Sequence, residues 1–372
     1  MNDINAQIAC TSCGAPYPPI GVPYKCKCGG IYDFSQFPAY KEPVNPILST
    51  GLWSYQDSLG LPENAPVVTL GEGNTPLLSS WFNGRPVYLK MEGQNPTGSY
   101  KDRGSAVLTS FLRSRGVTSA VEDSSGNAGA SLAAYCACAG LSLAVFIPET
   151  ASGPKRWQIE MYGAEVHRIP GPRASAAAAV LKAAESGNIY ASHAYMPFGL
   201  TGIATIAYEI FHQLGTVPGT LIAPVGHGGL LYGIMLGFEA LRGSGVSNAL
   251  PYYIGVQAEN CAPVLQAFND KSVEVADVIT KSTLAEGASV SRPLRAGQIL
   301  ARILSGGGEI QGGSENQLLN IYPTTARSGV FCEPTSCLSL IPLLNDKIEV
   351  AEPVVAIMTG AGYKTNAILQ IE

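Results

Sequence analysis

The stretch that decides the fold of this 372-residue chain is Lys90–Gly104, KMEGQNPTGSYKDRG. Its middle, Asn95–Gly98, is built of turn formers, and Ser99-Tyr100-Lys101-Asp102 has the S-x-x-D form of a capping box that begins a helix. Apolar residues at helical spacing follow and predict one buried helix face, formed by Val107, Leu108, Phe111 and Leu112. The sequence therefore predicts a turn and then a helix that starts near Lys101.

Lys101 falls in the first turn of this predicted helix. The positive end of the helix dipole disfavours an ammonium group there, so the placement carries a small cost. Enzymes tolerate such a cost where a lysine amine acts as a nucleophile. Lys101 is therefore a candidate Schiff-base lysine, and the alternative from this stretch alone is a solvated lysine at a helix end.

The composition is that of a compact globular protein with room for two domains and a small appendage. Only 14% of the residues are charged, 46% are hydrophobic, and the 42 glycines indicate closely packed backbone. The net charge is −5 and no block of Lys and Arg occurs, which argues against a nucleic-acid-binding surface. The N-terminus has no apolar segment of the kind found in signal peptides, so we expect none.

Two long uncharged stretches resemble membrane spans in length, namely Ala128–Ile147 and Gly219–Phe238. The first is interrupted by Gly140 and predicts a buried helix to about Ala139 followed by a strand. The second contains Pro224 and several glycines, which predict a strand, a loop and a helix. We therefore expect a soluble protein without a membrane segment.

Four of the nine cysteines form two closely spaced pairs, Cys10-x2-Cys13 and Cys26-x-Cys28. Each pair is followed by glycine, which lets the backbone turn toward the sulfurs, and four thiolates suit a tetrahedral zinc ion. The second pair has one spacer residue rather than two, and the alternative is a metal-free extension. The other cysteines lie in apolar contexts as small core residues, so the set favours a reducing, cytoplasmic location.

Strands, glycine- or serine-rich loops and helices alternate along the chain. Such alternation predicts parallel sheets with helices on both faces, and sites at the carboxyl ends of the strands. The predicted strands are 87–90, 119–122, 143–148, 165–169 and 220–225, and the predicted helices after the first lie near 128–139, 155–162 and 230–241.

Two of the strand-end loops have residues suited to binding anions. Gly226-His227-Gly228-Gly229 opens a helix, so its backbone N–H groups and the helix dipole can hold a phosphate dianion. The loop Ser124–Gly129 offers N–H donors and two hydroxyls suited to a carboxylate, and Asn127 adds an amide donor. The alternatives are a tight turn without a ligand in the first case and an ordinary helix N-cap in the second.

Five motifs occur in the order of one known enzyme family: GEGNTPL, NPTGSYKDRG, SSGNAG, PVGHGG and MTGAGYK. Their sequence resembles the pyridoxal-phosphate enzymes of the tryptophan-synthase-β type, known as fold type II, and most of all the threonine synthase family with its N-terminal zinc ribbon. The resemblance implies an α/β fold with two open, mostly parallel sheets and helices on both faces, plus the ribbon. The implied domains are the ribbon at 1–40, a large cofactor-binding domain at 41–105 and 205–372, and a small domain at 106–204.

The resemblance also implies roles for individual residues. Lys101 would hold pyridoxal 5'-phosphate covalently and, once released, would act as the base at Cα. The ring hydroxyl would meet Asn127, and the ring nitrogen would meet Thr359, whose neutral hydroxyl favours elimination and replacement over transamination. The phosphate would be bound by Gly226, His227, Gly228 and Gly229, and the substrate carboxylate by Ser124, Ser125, Gly126 and Ala128.

The chain departs from the threonine synthase pattern around the expected substrate phosphate. In the segment His193–Thr205, Gly199 stands where an arginine is expected and Ala194 where a serine is expected. Ala128 replaces a common threonine, and Glu122 and Asp123 stand where relatives have small neutral residues. We therefore expect an elimination or replacement enzyme with an altered leaving-group preference, acting on a small amino acid other than O-phosphohomoserine.

Other functions stay open at this point. Within the enzyme class the alternatives are an authentic threonine synthase, a serine or threonine dehydratase, and a β-replacement synthase. Outside it they are a zinc-ribbon nucleotide-binding module, which the lack of a basic patch disfavours, and a catalytically silent paralogue, which an intact Lys101 disfavours. We expect a homodimer with no nucleic-acid partner, and cofactor binding that survives removal of residues up to about Tyr40.

Overall fold

The computed structural model describes residues 7–43, 51–151, 153–345 and 348–365. The chain divides into two compact units, the first comprising Met1–Gly73, Asn95–Thr97 and Lys101–Thr205, and the second comprising Asn74–Gln94, Gly98–Tyr100 and Ile206–Glu372. Residues 51–73 thus group with the first unit, whereas the sequence-based division, which stays a prediction, assigns them to the large domain.

The helices and strands follow the alternation that the sequence predicts. The strands are β1 (Ile8–Cys10), β2 (Tyr32–Phe34), β3 (Leu77–Phe82), β4 (Arg85–Lys90), β5 (Ser119–Glu122), β6 (Ser142–Pro148), β7 (Glu165–Ile169), β8 (Thr220–Pro224), β9 (Tyr252–Ala258), β10 (Gly308–Gly313) and β11 (Val354–Ile357). The helices are α1 (Lys101–Ser114), α2 (Asn127–Ala139), α3 (Pro154–Met161), α4 (Arg173–Glu185), α5 (Gly199–Leu214), α6 (Gly229–Gly243), α7 (Pro263–Asn269), α8 (Ala296–Arg302), α9 (Glu315–Arg327) and α10 (Pro334–Cys337).

The first unit contains a parallel three-stranded sheet in the order β5-β6-β7. Its helix α1 buries the face that the sequence predicts, since Val107, Leu108, Phe111 and Leu112 are each at most 3% exposed. The separate antiparallel pair β1-β2 forms the N-terminal ribbon.

The ribbon is part of the hydrophobic core of the first unit. Tyr17 lies edge-on to Phe198 with ring centroids 5.1 Å apart, and Phe198 stacks on Phe111 of α1 at 3.5 Å. The guanidinium of Arg115, just after α1, donates to the backbone carbonyl of Pro19 in the ribbon. Removal of residues up to Tyr40 would expose this core, so we expect such a truncation to destabilise the first unit, while the survival of cofactor binding stays a prediction.

The second unit contains a six-stranded sheet in the order β10-β9-β8-β11-β4-β3. All neighbours are parallel except β3 and β4, which are antiparallel. Every residue of β8 and of β11 is buried, as expected for central strands covered on both faces. Because β8 and β11 are adjacent and parallel, the loops that follow them leave the same edge of the sheet.

The two uncharged stretches form the elements that their glycine and proline residues predict. Ala128–Ile147 is divided between α2 and β6, and Gly140 ends α2 in the left-handed conformation with φ of 65°. Gly219–Phe238 is divided between β8 and α6. Among the described residues, no helix is long and apolar enough to cross a membrane.

Candidate active site

Lys101 is the first residue of α1, and Asp102 fixes the turn before it. The buried Asp102 carboxylate accepts two hydrogen bonds from Thr97, one from its N–H and one from its hydroxyl, both at 2.6 Å. The predicted capping box between Ser99 and Asp102 is therefore wrong, because the Asp102 carboxylate accepts its hydrogen bonds from the turn residue Thr97. The hydroxyl of Ser99 is buried without a hydrogen-bond partner among the described residues.

Ser99 and Tyr100, which precede Lys101, belong to the second unit and contact the segment of Thr359 there. The N–H of Tyr100 donates to the carbonyl of Thr359 at 3.1 Å, and Ser99 forms a bridge with Gly360. The hydroxyl of Thr359 lies 3.1 Å from that of Ser336, which also bonds the N–H of Gly360. Ser336 was not predicted as a site residue, because no motif marks it and only the tertiary fold brings α10 to this loop.

The loop Ser124–Gly129 connects β5 to α2 in the first unit. Gly126 is the N-cap residue and no side chain caps it, so the alternative of an ordinary side-chain N-cap does not hold. Ser124 folds back locally, with its hydroxyl accepting from the Gly126 N–H at 3.3 Å. A Cβ on Gly129 would collide with the Ser124 carbonyl oxygen, so this position requires glycine. Asn127 and Ala128 are the first two residues of α2.

The loop Gly226–Gly229 connects β8 to α6 in the second unit. Gly228 is the N-cap, has φ of 93°, and a Cβ there would lie 2.9 Å from Cδ1 of Ile299. No side chain caps this helix either. Bare N–H groups at the N-terminus of a 15-residue helix suit a phosphate dianion. The loop therefore fits the phosphate of the expected cofactor, and it leaves the same sheet edge as the Thr359 segment.

A buried arginine lies beside this loop. Arg295 is 1% exposed, and its N–H donates to the carbonyl of His227 at 3.0 Å. An arginine near the site could replace the expected substrate-binding arginine, and Arg295 is a candidate by residue type. The structure places its backbone against the phosphate-type loop of the second unit.

Two acidic residues precede the Ser124–Gly129 loop, Glu122 as the last residue of β5 and Asp123 directly after it, and their surroundings differ. Asp123 accepts from the hydroxyl of Tyr190 at 2.6 Å and pairs with Arg173 at 2.8 Å. Glu122 is 1% exposed, and its Oε1 lies 3.4 Å from Nδ1 of His193.

Burial raises the pKa of Glu122 well above its ordinary value. The charge of Asp123 raises it further, whereas Arg173 and Lys101 act in the opposite direction. The raised pKa means that burial favours the protonated form of this carboxyl group.

Gly199 begins α5 and packs directly against the start of α1. A Cβ on Gly199 would lie 3.1 Å from the carbonyl oxygen of Gly104, and one on Gly202 would collide with the carbonyl of Arg103. Arg103 is fully buried and donates to the hydroxyl of Thr205 at 2.9 Å. Ala194 is also buried. The place at which the family pattern has an arginine is therefore filled by a close approach of two helices.

The four ribbon cysteines converge as their spacing predicts. Their ligand atoms all lie within 4.8 Å of one another, with Sγ separations of 3.4 Å for Cys10 and Cys28 and 3.7 Å for Cys13 and Cys26. A tetrahedral zinc with Zn–S bonds of about 2.3 Å separates its sulfurs by roughly 3.8 Å. The four thiols fit one such ion.

The fold and the site together define a class of enzyme. The family model described as pyridoxal-phosphate dependent enzyme matches residues 68–360, and the chain belongs to that family. Its cofactor is pyridoxal 5'-phosphate. Within the family the chain is similar to threonine synthases: it is 34% identical to that of Methanocaldococcus jannaschii, over 95% of this chain and 92% of the relative. It is 33% identical to that of Methanosarcina acetivorans, over 95% and 91% respectively.

Solved structures confirm the predicted fold type II. Maize serine racemase matches with a TM-score of 0.67 and 19% identity, covering 77% of this chain and 88% of the other. A threonine deaminase from Solanum lycopersicum matches with a TM-score of 0.66 and 19% identity, covering 88% and 93%. At this identity the neighbours establish the fold alone, and the protein is a pyridoxal-phosphate-dependent lyase on the strength of its family.

Proposed function

We propose that this enzyme catalyses elimination or replacement on a small amino acid whose leaving group is neutral or small, such as hydroxide or acetate. The observation that carries the proposal is the packing of Gly199 against Gly104, because it occupies the place of the expected phosphate-binding arginine. A phosphate dianion in a water-poor site needs fixed donors and positive charge. An authentic threonine synthase acting on O-phosphohomoserine is the competing assignment, supported by the names of the relatives.

Nearby cations in the first unit are engaged elsewhere, which supports this choice. Arg103 donates to Thr205, and Arg173 pairs with Asp123. Arg156 lies 3.9 Å from Glu160 on the same helix. A charge-assisted hydrogen bond is worth about 1.5–3 kcal/mol, so the loss of one arginine contact corresponds to roughly ten- to a hundredfold in substrate recognition.

In the proposed reaction, the residues of the first unit bind and deprotonate the substrate. Lys101 would attach the cofactor and then take the proton from Cα. The N–H groups and hydroxyls of Ser124, Ser125, Gly126 and Ala128 would bind the substrate carboxylate, and Asn127 would meet the cofactor's ring hydroxyl. When bound, the cofactor supplies the electron-withdrawing ring that makes the Cα proton acidic.

In the second unit, the proposed contacts hold the cofactor in place. Gly226, His227, Gly228 and Gly229 would bind its phosphate through backbone N–H groups. Thr359 would meet the ring nitrogen through a hydroxyl that is already paired with another hydroxyl, that of Ser336. This pair carries no negative charge, so the nitrogen would stay unprotonated, which favours elimination and replacement over transamination.

Steady-state assays test this proposal. We expect higher kcat/KM for serine, threonine or an O-acetyl amino acid than for O-phosphohomoserine. Faster phosphate release from O-phosphohomoserine would show that the protein is a threonine synthase. Borohydride reduction and peptide mapping should place the pyridoxyl group on Lys101, and its appearance on Lys90 or Lys364 would refute the assigned base. A Lys101→Ala variant should lose activity by about 10³-fold or more, with Lys182→Ala on the exposed side of α4 as the control.

The assembly, the compartment and the metal are part of the same proposal. We infer a cytoplasmic homodimer that binds no nucleic acid, and a structural zinc ion on Cys10, Cys13, Cys26 and Cys28. The scattered cysteines are free thiols, which supports a reducing compartment. Light scattering of the purified enzyme would test the dimer, since a monomeric mass would reject it.

A further inference from the structure

The first unit contains a buried acid that the proposed reaction has not yet used. Glu122 ends β5, two residues before the Ser124–Gly129 loop begins, and is 1% exposed. Its Oε1 lies 3.4 Å from Nδ1 of His193, whose side chain is 29% exposed. His193 is therefore the outward member of the pair, and Glu122 lies behind it.

The adjacent acid, Asp123, has a different environment. An acidic residue at this strand end is therefore not sufficient to explain the unusual burial of Glu122. Asp123 has both a hydroxyl donor, Tyr190, and a cation, Arg173. Glu122 has its second oxygen, Oε2, buried without a hydrogen-bond partner among the described residues. A buried carboxyl group in this condition is costly in its charged form and is most easily explained by a role in proton transfer.

The pair belongs to the same unit as Lys101, and its Glu122 lies at the strand end that leads into the Ser124–Gly129 loop. The charge of Lys101 acts on Glu122 and favours its ionised form, against the effect of burial. The ionisable groups around Glu122 are Lys101 on α1, Cys136 on α2, Arg173 on α4, and Asp123, Tyr190 and His193 on the connecting segments.

We propose, on the basis of the proposed function, that the Glu122–His193 pair donates the proton that a hydroxyl leaving group needs. Lys101 takes the proton from Cα as the bond between carbon and the leaving oxygen breaks. The electron pair of that bond goes to the oxygen, and the proton of the pair converts it to water. Lys101 then returns its proton to the pair through solvent, so the step needs no oxidant or reductant.

The chemistry of the leaving group explains why the pair occurs together with Gly199. Phosphate leaves as a stable anion and needs positive charge more than a proton, whereas hydroxide is a poor leaving group unless it is protonated. The chain thus lacks the arginine that would bind the first and has an acid that would serve the second. This coincidence narrows the substrate class to hydroxy amino acids.

The test compares a leaving group that must be protonated, hydroxide, with one that leaves as an anion, chloride. For the better substrate of serine and threonine, His193→Asn should lower kcat/KM by about 100-fold, and Glu122→Gln by about tenfold. For the corresponding β-chloro amino acid the loss should stay within about threefold, because chloride leaves without a proton. The matched control is His167→Asn, which alters a partly exposed histidine 3.2 Å from Glu165 in the same unit, and it should change neither rate.

Measurements other than the rate distinguish a variant that has lost the chemical step from one that has lost its fold. His193→Asn should keep the wild-type Tm, Glu122→Gln should be at least as stable as the wild type, and both should keep the wild-type visible spectrum of the bound cofactor. In the wild type, kcat/KM for the hydroxy substrate should fall on the alkaline side of its pH profile, where the pair loses its proton. That alkaline fall should be absent with the chloro substrate.

Several results would overturn the proposal. If the variants lose kcat/KM equally for the hydroxy and chloro substrates, the pair has only a positioning or structural role. If turnover of the hydroxy substrate is unchanged, the pair takes no part in the reaction. Both results leave the proposed function intact as long as hydroxy amino acids are better substrates than O-phosphohomoserine. A wild-type preference for O-phosphohomoserine would instead overturn the proposed function, and with it the need for this acid.

Discussion

The loop Ser124–Gly129 of the first unit and the loop Gly226–Gly229 of the second have the same local design. Each follows a parallel strand and begins a helix whose N-terminus no side chain caps. Their surroundings differ in charge, since Glu122 and Asp123 precede the first loop and a buried arginine, Arg295, lies against the second.

This difference gives a physical reason to expect different anions at two similar backbone sites. The helix dipole and N–H groups attract negative charge at both loops. The two carboxyl groups that precede the first loop add no positive charge to it, so a singly charged carboxylate suits this loop better than a dianion. The second loop lies beside a buried arginine and suits a phosphate. The predictions that follow test this contrast, beginning with the largest expected effect.

The two loops should respond differently to an added methyl group. Gly228→Ala forces φ of 93° on a residue with a Cβ and brings that atom to 2.9 Å from Ile299. Strain of about 1–3 kcal/mol corresponds to roughly 10- to 100-fold weaker cofactor binding, measured by fluorescence titration of the apoenzyme. Gly126→Ala, where the nearest atom is 3.9 Å away, should change cofactor affinity by less than about twofold. Equal effects of the two substitutions would contradict the assignment of the phosphate to the second loop.

The predicted metal site should stabilise the first unit, which contains the loop Ser124–Gly129. The only group of four convergent cysteine ligands among the described residues lies in the ribbon, whose Tyr17 packs on Phe198. Cys13→Ser should lower the Tm by about 5–10 °C and reduce the zinc content below one ion per chain, as measured by calorimetry and elemental analysis. Cys138→Ser, at an exposed thiol on α2, is the control and should change neither quantity. A metal-free wild-type protein purified without chelator would reject the zinc site.

Introducing the expected arginine at position 199 should destabilise the first unit, because α5 packs closely against α1 at this position. Gly199→Arg brings a Cβ to 3.1 Å from the carbonyl oxygen of Gly104, so we expect a loss of about 1–3 kcal/mol in unfolding free energy by urea titration. Gly243→Arg, at an exposed position with no atom within 4 Å of the added Cβ, should be neutral. A stable Gly199→Arg protein with efficient turnover of O-phosphohomoserine would show that helix packing does not set the substrate.

The acidic character of the first loop should appear in the pH dependence of stability. The pKa of Glu122 is raised in the folded state by burial and by Asp123, so the folded protein prefers the protonated acid. Its stabilising contribution is present below the unfolded pKa of about 4.3 and is lost as the pH rises through the folded pKa. Glu122→Gln should therefore raise the Tm near pH 8, and the difference should vanish below about pH 4. A difference that grows at low pH would reverse the sign and refute the buried-acid description.

Local signals in the sequence determined most of the architecture. Glycines, prolines and hydrophobic spacing predicted β5 at its observed bounds, and α1, α2, α3 and α6 to within a residue or two. These signals work because turn geometry and burial patterns depend on residues close together in the chain. Cysteine spacing likewise predicted a metal cluster, since its ligands come from two short local turns.

Only the tertiary structure decided the partners of the site residues. Thr97 as the partner of Asp102, Ser336 as the partner of Thr359 and His193 as the partner of Glu122 are separated from them by 5, 23 and 71 positions. The longer pairings carry no periodic signal, because the side chains meet only after strands and helices pack. The same applies to Gly199: the sequence has glycine where an arginine is expected, but only the packing of α5 against α1 shows that a Cβ there would press on the backbone of Gly104. Composition and motif therefore determined the family and the cofactor, while packing decided which side chains lie around the candidate site residues.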